Sequence, residues 1–153
     1  MSTIRIIVLA PGMNELAVCA RWRAETFSVL NASAADELAS LEAFVADPSD
    51  QVGLMAMHDG EPAGTALLVR SEIAPVHDVT PWLAGLYVAP AHRRHGVGAT
   101  LVGAIEDLAR QRGHRRLFLY TTDAADYYQR LGWGIVDRTR WNGADTVLMA
   151  IDL

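Results

Sequence analysis

The stretch HRRHGVGATL at residues 92–101 places two arginines and two glycines directly before an apolar helical pattern. The first N–H groups of a helix have no partner within the helix, and together with the helix dipole they attract anions. Gly96 and Gly98 leave room for an anion to approach the backbone, and Arg93 and Arg94 can donate charge-assisted hydrogen bonds to it. The spacing therefore indicates a site for a phosphate or diphosphate group.

Other kinds of site fit the residues of this stretch less well than a phosphate site. Gly98 is not followed by the third glycine of a dinucleotide fingerprint, and the chain has no Gly-Lys-Ser/Thr sequence of a nucleotide P-loop. His92 and His95 are metal ligands by type, but no carboxylate or cysteine completes a set at a useful spacing, so we expect no metal. A glycine-rich turn with solvated arginines stays the alternative interpretation.

The elements around this loop are predicted from hydrophobic periodicity and from Gly, Pro and capping residues. Their order is β-α-α-β-β-β-α-β-α-β-β, with a hairpin turn at residues 59–61 and a central strand that ends before Pro90. The predicted elements are a strand at 3–10, a helix at 15–30 after the N-cap Asn14, a helix at 34–47 opened by Ser33, strands at 51–59, 62–73 and 82–89, a helix from Val97 to Gly113, a strand at 115–121, a helix at 123–131, and a final pair of strands around Asn142 and Gly143.

Length and composition favour one domain that spans residues 1–153, because the chain is 51% hydrophobic and can bury a core. No apolar run approaches the roughly 18 residues of a membrane helix, and the first apolar run is too early and too β-branched for a signal peptide. We therefore expect a cytoplasmic protein. The single cysteine, Cys19, cannot form an internal disulfide, and its helical pattern predicts a small buried side chain rather than a nucleophile.

The charge of the chain is uneven along its length. Residues 1–89 carry 4 arginines against 11 carboxylates, whereas residues 90–153 carry 9 arginines against 7, and the whole chain has a net charge of -5. A nucleic-acid backbone needs a basic face, so the overall acidity argues against nucleic acid as a partner. The two halves of the chain are expected to face different ligands.

Two separated motifs together resemble the GNAT-type N-acetyltransferases, which transfer an acetyl group from acetyl-coenzyme A to an amine. The phosphate loop of that family reads Arg/Gln-x-x-Gly-x-Gly/Ala and is matched by residues 93–98. A strand similar to LYVAP precedes the loop, and a segment similar to YYQRLGW at residues 127–133 follows one strand later. The resemblance in element order covers the whole chain, although the first half matches in pattern only.

The resemblance implies an α/β (α+β) fold with a mixed, mainly antiparallel sheet of six to seven strands and about four flanking helices. Acetyl-coenzyme A would lie between the GLYVA and RLFLYT strands, which splay apart in the family, and Gly85 would form a β-bulge. The backbone of the GLYVA strand would pair with the pantetheine arm, and the Val88 N–H would polarise the thioester carbonyl. The diphosphate would lie on the N–H groups of residues 94–99. The coenzyme-binding residues would be Leu86, Tyr87, Val88, Arg93, Arg94, His95, Gly96, Val97, Gly98, Ala99, Thr100 and Tyr128.

The same resemblance assigns one catalytic residue and leaves another open. Tyr128 matches the tyrosine that serves as general acid for the departing thiolate, whereas Tyr127, about 100° round the helix, matches a core aromatic that pairs with Leu131. The family often places a basic carboxylate on the GLYVA strand, but the candidate positions are Ala84 and Leu86. The remaining candidates for a general base are His77, Asp78 and Glu25; a weakly basic acceptor would need none.

The sequence therefore predicts an N-acetyltransferase that uses acetyl-coenzyme A and a primary amine of a small molecule or peptide. The acidic first half favours a cationic acceptor, because a cleft of one charge sign concentrates the opposite sign. Two rival functions stay open: a non-catalytic acyl-coenzyme A sensor, against which Tyr128 argues, and an enzyme that modifies protein N-termini or lysines. A homodimer is compatible with either reading, and no membrane partner is expected.

Overall fold

The computed structural model describes residues 3–26, 33–47, 51–70, 77–141 and 143–153. Within these ranges the elements follow the predicted order, with a short 3-10 helix, Pro90–His92, added after the fourth strand. The elements are β1 (Ile4–Val8), α1 (Glu15–Thr26), α2 (Ala34–Ala46), β2 (Val52–His58), β3 (Glu61–Val69), β4 (Trp82–Val88), α3 (Val97–Gln111), β5 (Arg116–Thr121), α4 (Ala125–Arg130), β6 (Gly134–Trp141) and β7 (Ala144–Asp152).

The predicted bounds differ from the observed ones at the element ends. β1 stops at Val8, although the Leu9 N–H still donates to the carbonyl of Gly53 at 2.8 Å. β3 stops at Val69, short of its predicted end, and residues 71–76 lie outside the described ranges. The predicted continuation of the first helix to residue 30 and the predicted turn residue Asn142 also lie outside the described residues.

Seven strands form one sheet in the order β1-β2-β3-β4-β5-β7-β6. Neighbouring strands are antiparallel except β4 and β5, which are parallel and are connected through α3. The predicted mixed, mainly antiparallel fold is therefore confirmed, with seven strands and, in the described ranges, four α-helices. β4 is the middle strand, as predicted, and among the described strands only the neighbours β4 and β5 run in the same direction.

Two local predictions are confirmed by backbone geometry. Asp59 and Gly60 both have positive φ, 52° and 83°, which is the conformation of a type I′ hairpin between β2 and β3. Ser33 caps α2: its hydroxyl accepts from the Asp36 N–H, while the Asp36 carboxylate accepts from the Ser33 N–H.

Different helices cover the two faces of the sheet. α3 packs on one face through Val97, Leu101 and Ile105, which are at most 1% exposed. Leu16 of α1 and Leu41 of α2 are buried on the opposite face. Burying a side chain of this size stabilises the fold by roughly 1.5–3 kcal/mol. The apolar stripe of α3 therefore fixes this helix, and with it the loop at its N-terminus, against the centre of the sheet.

Cys19 is buried on the α1 face, as predicted, with 1% of its surface exposed. Burial raises the pKa of its thiol to about 11, so the nucleophilic thiolate is scarce near neutral pH. None of the helices in the described ranges is long and apolar enough to cross a membrane.

Candidate functional site

β4 and β5 separate after a single pair of residues. Trp82 pairs with Phe118, and the Phe118 N–H donates to the carbonyl of Pro81 at 3.1 Å. Beyond this pair a cavity of about 820 Å³ lies between the strands, a volume typical of ligand sites. The gap coincides with the groove predicted between the GLYVA and RLFLYT segments.

A β-bulge at Gly85 sets the direction of the β4 backbone beside the cavity. Thr65 pairs with Tyr87 and Leu67 pairs with Ala84, so one residue of β3 faces two residues of β4. Gly85 has a φ of 61°, a left-handed conformation that glycine adopts without a steric penalty. The predicted bulge is therefore confirmed.

The extra residue in β4 reverses the alternation of the side chains that follow it. Leu86 and Val88 pack on the α3 face, whereas Tyr87 packs on the α1 face. The Ala89 N–H donates to a carbonyl of β3 at 2.8 Å. Because N–H directions alternate along a strand, the Val88 N–H points away from β3 and toward the gap.

The N-terminus of α3 leaves backbone donors open. Gly96 is its N-cap and provides no side-chain hydrogen bond, and the first bond of the helix runs from the Thr100 N–H to the Gly96 carbonyl at 3.0 Å. The N–H groups of residues 97–99 therefore have no partner within the helix. The first turn of α3 also contains no carboxylate, whereas Ser33 and Asp36 satisfy the start of α2. α3 thus presents open donors and the positive end of its dipole to a ligand.

The polar side chains of the loop divide between internal and external contacts. Nε of Arg93 donates to the Val88 carbonyl at 2.9 Å, which connects the loop to β4 and occupies that carbonyl. The hydroxyl of Thr100 donates to the Gly96 carbonyl at 2.8 Å. Arg94 is exposed and has a φ of 66°, unusual for a residue with a side chain. Arg93 is exposed as well, and its role in connecting the loop to β4 was not foreseen from the sequence.

The two glycines of the loop are required for different reasons. Gly96 has a φ of 81° with open space at the position of a Cβ atom, so its backbone conformation favours glycine. Gly98 is helical, and a Cβ there would lie 2.7 Å from the Tyr127 hydroxyl oxygen. Close packing against α4 is thus a second reason for Gly98, beside the predicted access of phosphate. Tyr127 is partly buried and packs against the main core cluster, whereas Tyr128 is a buried member of that cluster.

Three histidines lie together next to the phosphate loop. The Nδ1 atoms of His58 and His92 are 2.9 Å apart, and the ring centroids of His58 and His95 are 5.0 Å apart. The hairpin between β2 and β3 also brings Glu61 to 3.4 Å from Nε2 of His92, a contact that the sequence did not indicate. One Nδ1 must donate to the other, so these nitrogens are not directed at a common point. In the described part of the chain no three ligating side chains form a group that could bind a metal.

Tyr128 lines the cavity and is 8% exposed. Its ring packs against Trp133, with the ring centroids 6.1 Å apart. Burial raises the pKa of Tyr128 above its ordinary value of 10.0, and the neighbouring Tyr127 and Asp123 raise it further. The phenol therefore keeps its proton over the physiological range and can act as a hydrogen-bond or proton donor.

The three predicted candidates for a general base differ in where they lie relative to the cavity. Glu25 and Asp78 are exposed, and neither lines the described cavity. His77 does not line it either, but its Nδ1 contacts the hydroxyl of Tyr120, which does. Nε2 of His77 also lies 3.0 Å from Oδ2 of Asp137. Sequence reasoning missed Tyr120 and Asp137. The alternation of RLFLYT was the available signal for Tyr120, since it places this side chain on the other face of β5 from the two leucines.

Two charged side chains of the described residues line the cavity, Arg23 and Asp123. Arg23 lies over the bulge, because a Cβ at Gly85 would be 2.7 Å from its Nη1, and its Nε donates to Glu37 at 3.1 Å. Asp123 precedes α4. The described carboxylates of the acidic first half do not line the cavity, so any attraction of a cationic acceptor by that half acts through the field at the surface.

A comparison with family models gives one match, to the acetyltransferase (GNAT) family, over residues 16–133. A comparison with curated proteins gives no significant match. The matched range begins in α1 and ends just after α4, so it includes the bulge, the phosphate loop and both tyrosines of α4.

Solved structures share the fold, in two cases over nearly the whole chain. A protein from Desulfovibrio desulfuricans assigned to the GNAT acetyltransferases is 19% identical, with a TM-score of 0.73 and coverage of 98% of this chain and 99% of that chain. An aminoglycoside 6'-N-acetyltransferase complexed with coenzyme A is 14% identical, with a TM-score of 0.77 and coverage of 97% and 96%. A nourseothricin acetyltransferase is 28% identical over 69% of this chain and 67% of its own, with a TM-score of 0.57.

The environment of Gly98 predicts two separable effects of a side chain at this position. Gly98→Val should weaken coenzyme A binding by about tenfold or more, because the new branch obstructs the open N–H groups, and should lower thermal stability, because it displaces the Tyr127 hydroxyl. Adding Tyr127→Phe should restore stability without restoring affinity. Calorimetric titration and thermal unfolding measure the two effects. Full recovery of affinity in the double variant, or unchanged affinity in folded Gly98→Val, would contradict a phosphate-binding role.

Proposed function

The chain belongs to the acetyltransferase (GNAT) family, and from this premise we propose that it transfers an acetyl group from acetyl-coenzyme A to a primary amine of a small molecule or peptide. The observation that carries the proposal is the open N-terminus of α3 beside the gap between β4 and β5. The helix end would bind the diphosphate, and the gap would admit the pantetheine arm. Residues 82–99 form one continuous segment that provides the helix end and the β4 side of the gap.

The residues at this site fit the chemistry of the coenzyme. The backbone of Leu86 would pair with the amide groups of the pantetheine arm. The N–H groups of residues 94–99 would surround the diphosphate, and the exposed Arg94 would add a charge-assisted hydrogen bond. The remaining proposed contacts come from Tyr87, Arg93, His95 and Thr100, of which Arg93 and Thr100 also stabilise the loop itself.

Acetyl-coenzyme A supplies an acetyl group on a thioester, which an amine can attack directly. A C–N bond forms as the C–S bond breaks, and negative charge develops first on the carbonyl oxygen and then on the departing sulfur. The Val88 N–H, directed at the gap, would stabilise the first charge. Tyr128 would neutralise the second by donating its proton to the thiolate, a role supported by its position on the cavity wall.

The acceptor would enter from the face of the sheet that α1 and α2 cover. Phe44 of α2 and Tyr120 of β5 line this part of the cavity, together with Trp141 at the end of β6. Aromatic walls suit a cationic acceptor, because the faces of aromatic rings attract ammonium groups. The names of the aminoglycoside and nourseothricin acetyltransferases among the similar structures agree with an acceptor of this class.

Transfer can be tested with spermidine, kanamycin and a peptide that has a free N-terminus and one lysine. We expect coenzyme A thiol to be released together with an equal amount of acetylated product for at least one of these amines. The buried Cys19, with its raised pKa, should contribute little to the thiol signal. Binding of coenzyme A without transfer to any amine would instead identify a non-catalytic sensor, and thiol release without acetylated amine would identify a hydrolase.

The proposed acid predicts a difference between adjacent tyrosines. Tyr128→Phe should lower kcat by roughly 10²-fold to 10⁴-fold, because the ring stays and the transferable proton is lost. Coenzyme A affinity and thermal stability should change little. Because the pKa of Tyr128 lies above 10.0, its ionisation should not reduce the wild-type kcat at any pH below that value.

Tyr127→Phe is the matched control, since it removes a hydroxyl from the same helix and leaves the aromatic volume unchanged. This variant should retain most of the activity. Equal and small losses in the two variants would contradict the assignment and would favour proton delivery by water.

A further inference from the structure

Asp137, His77 and Tyr120 form a hydrogen-bonded row that ends on the cavity wall. Oδ2 of Asp137 lies 3.0 Å from Nε2 of His77, and Nδ1 of His77 contacts the Tyr120 hydroxyl. Tyr120 lines the cavity. The side chain of His77 is 17% exposed and that of Asp137 is 57% exposed. The row therefore leads from the cavity through a largely buried imidazole to solvent.

The charge of Asp137 determines which role Nε2 of His77 takes in this row. A hydrogen bond from His77, with a second from the Arg138 N–H at 2.8 Å, lowers the pKa of the Asp137 carboxyl. An ionised carboxylate only accepts, so Nε2 of His77 must donate to it. A neutral imidazole then has Nδ1 free to accept, and Tyr120 must donate its hydroxyl proton to Nδ1. A phenol oxygen that donates its proton can itself accept a hydrogen bond.

Two features fix the ends of the row. The ring of Tyr120 stacks on Trp82, with centroids 4.7 Å apart and an interplanar angle of 16°. Trp82 is the residue of β4 at which the strands begin to separate, so Tyr120 lies beside the start of the gap. At the other end, a register shift in β6 between Ile135 and Asp137 turns the carboxylate of Asp137 toward His77.

The row can supply the general base that β4 lacks. The candidate positions for a basic carboxylate on β4 are Ala84 and Leu86, and neither can accept a proton. Tyr128 lies on the α3 side of the sheet with the main core, whereas Tyr120 packs with the cluster on the opposite face. The proposed acid and the hydrogen-bonded row therefore approach the gap from opposite faces of the sheet.

We propose that this row accepts the proton of the attacking amine, an inference that rests on the proposed acetyl transfer. As the amine nitrogen forms its bond to the acetyl carbon, an N–H bond breaks and its proton passes to the oxygen of Tyr120. The Tyr120 O–H proton passes at the same time to Nδ1 of His77. Asp137 stabilises the resulting imidazolium, which then loses a proton to solvent. Tyr120 is the catalytic residue of the row, and His77 and Asp137 are positioning residues.

Steady-state kinetics test the row with the amine of the panel, spermidine, kanamycin or the lysine peptide, that gives the highest wild-type rate. Tyr120→Phe keeps the stack on Trp82 and should lower kcat by about 10²-fold to 10⁴-fold, while KM for both substrates stays near the wild-type value. His77→Gln should have a loss of similar size. Asp137→Asn should lower kcat, and Asp137→Glu should restore part of it, because only the glutamate has the negative charge that stabilises an imidazolium.

His114→Gln is the matched control for His77→Gln, because His114 lies beyond the far end of α3, and it should leave kcat unchanged. Asp123→Asn tests the carboxylate that lines the cavity directly. A loss of kcat in Asp123→Asn with full activity in Tyr120→Phe would overturn the row, as would a rise in the acceptor KM at constant kcat. Full activity in all these variants would also overturn it. A wild-type protein that acetylates none of the amines would refute the proposed function itself, independently of the row.

Discussion

Strand β4 has to pair with β3 along its length and yet separate from β5, and the arrangement of the site depends on this constraint. The bulge at Gly85 satisfies it with one additional residue in a left-handed conformation. Without that residue Leu86 and Val88 would face α1, and the Val88 N–H would point toward β3. An alanine at Gly85 would meet Nη1 of Arg23 at 2.7 Å as well as an unfavourable φ, so both the backbone and the packing favour glycine there.

The same strand determines the position of the phosphate loop. Pro90 ends β4, the 3-10 helix turns the chain, and Arg93 returns a hydrogen bond to the Val88 carbonyl. α3 is then fixed by Val97 and Ile105 in the core, with its first N–H groups left open. The backbone donors are thus positioned by β4, by the hydrogen bond of Arg93 and by the buried side chains of α3. Because they are in place before a ligand binds, binding requires little reorganisation.

The sequence was sufficient for the features that depend on local pattern. Element order, the hairpin at Asp59 and Gly60 and the cap at Ser33 each followed from residue type and neighbouring residues, whereas the bulge at Gly85 was expected from the family resemblance. Contacts between segments distant in sequence were not accessible in this way. His77 was identified only as one of three candidates, because its partners lie in β5 and β6. The contacts of Gly98 with Tyr127 and of Glu61 with His92 likewise depend on how the strands pair, which residue spacing does not encode.

The central claim is that open backbone groups of β4 and α3 bind coenzyme A. Backbone amide NMR of the isotope-labelled protein titrated with coenzyme A tests it most directly, because each N–H is observed separately. The account predicts that the largest shift changes fall on residues 94–99 and on Val88, and that a coenzyme fragment without the diphosphate perturbs Val88 but not residues 97–99. Saturable shifts confined to other parts of the sheet, with the amides of residues 97–99 unchanged, would contradict it.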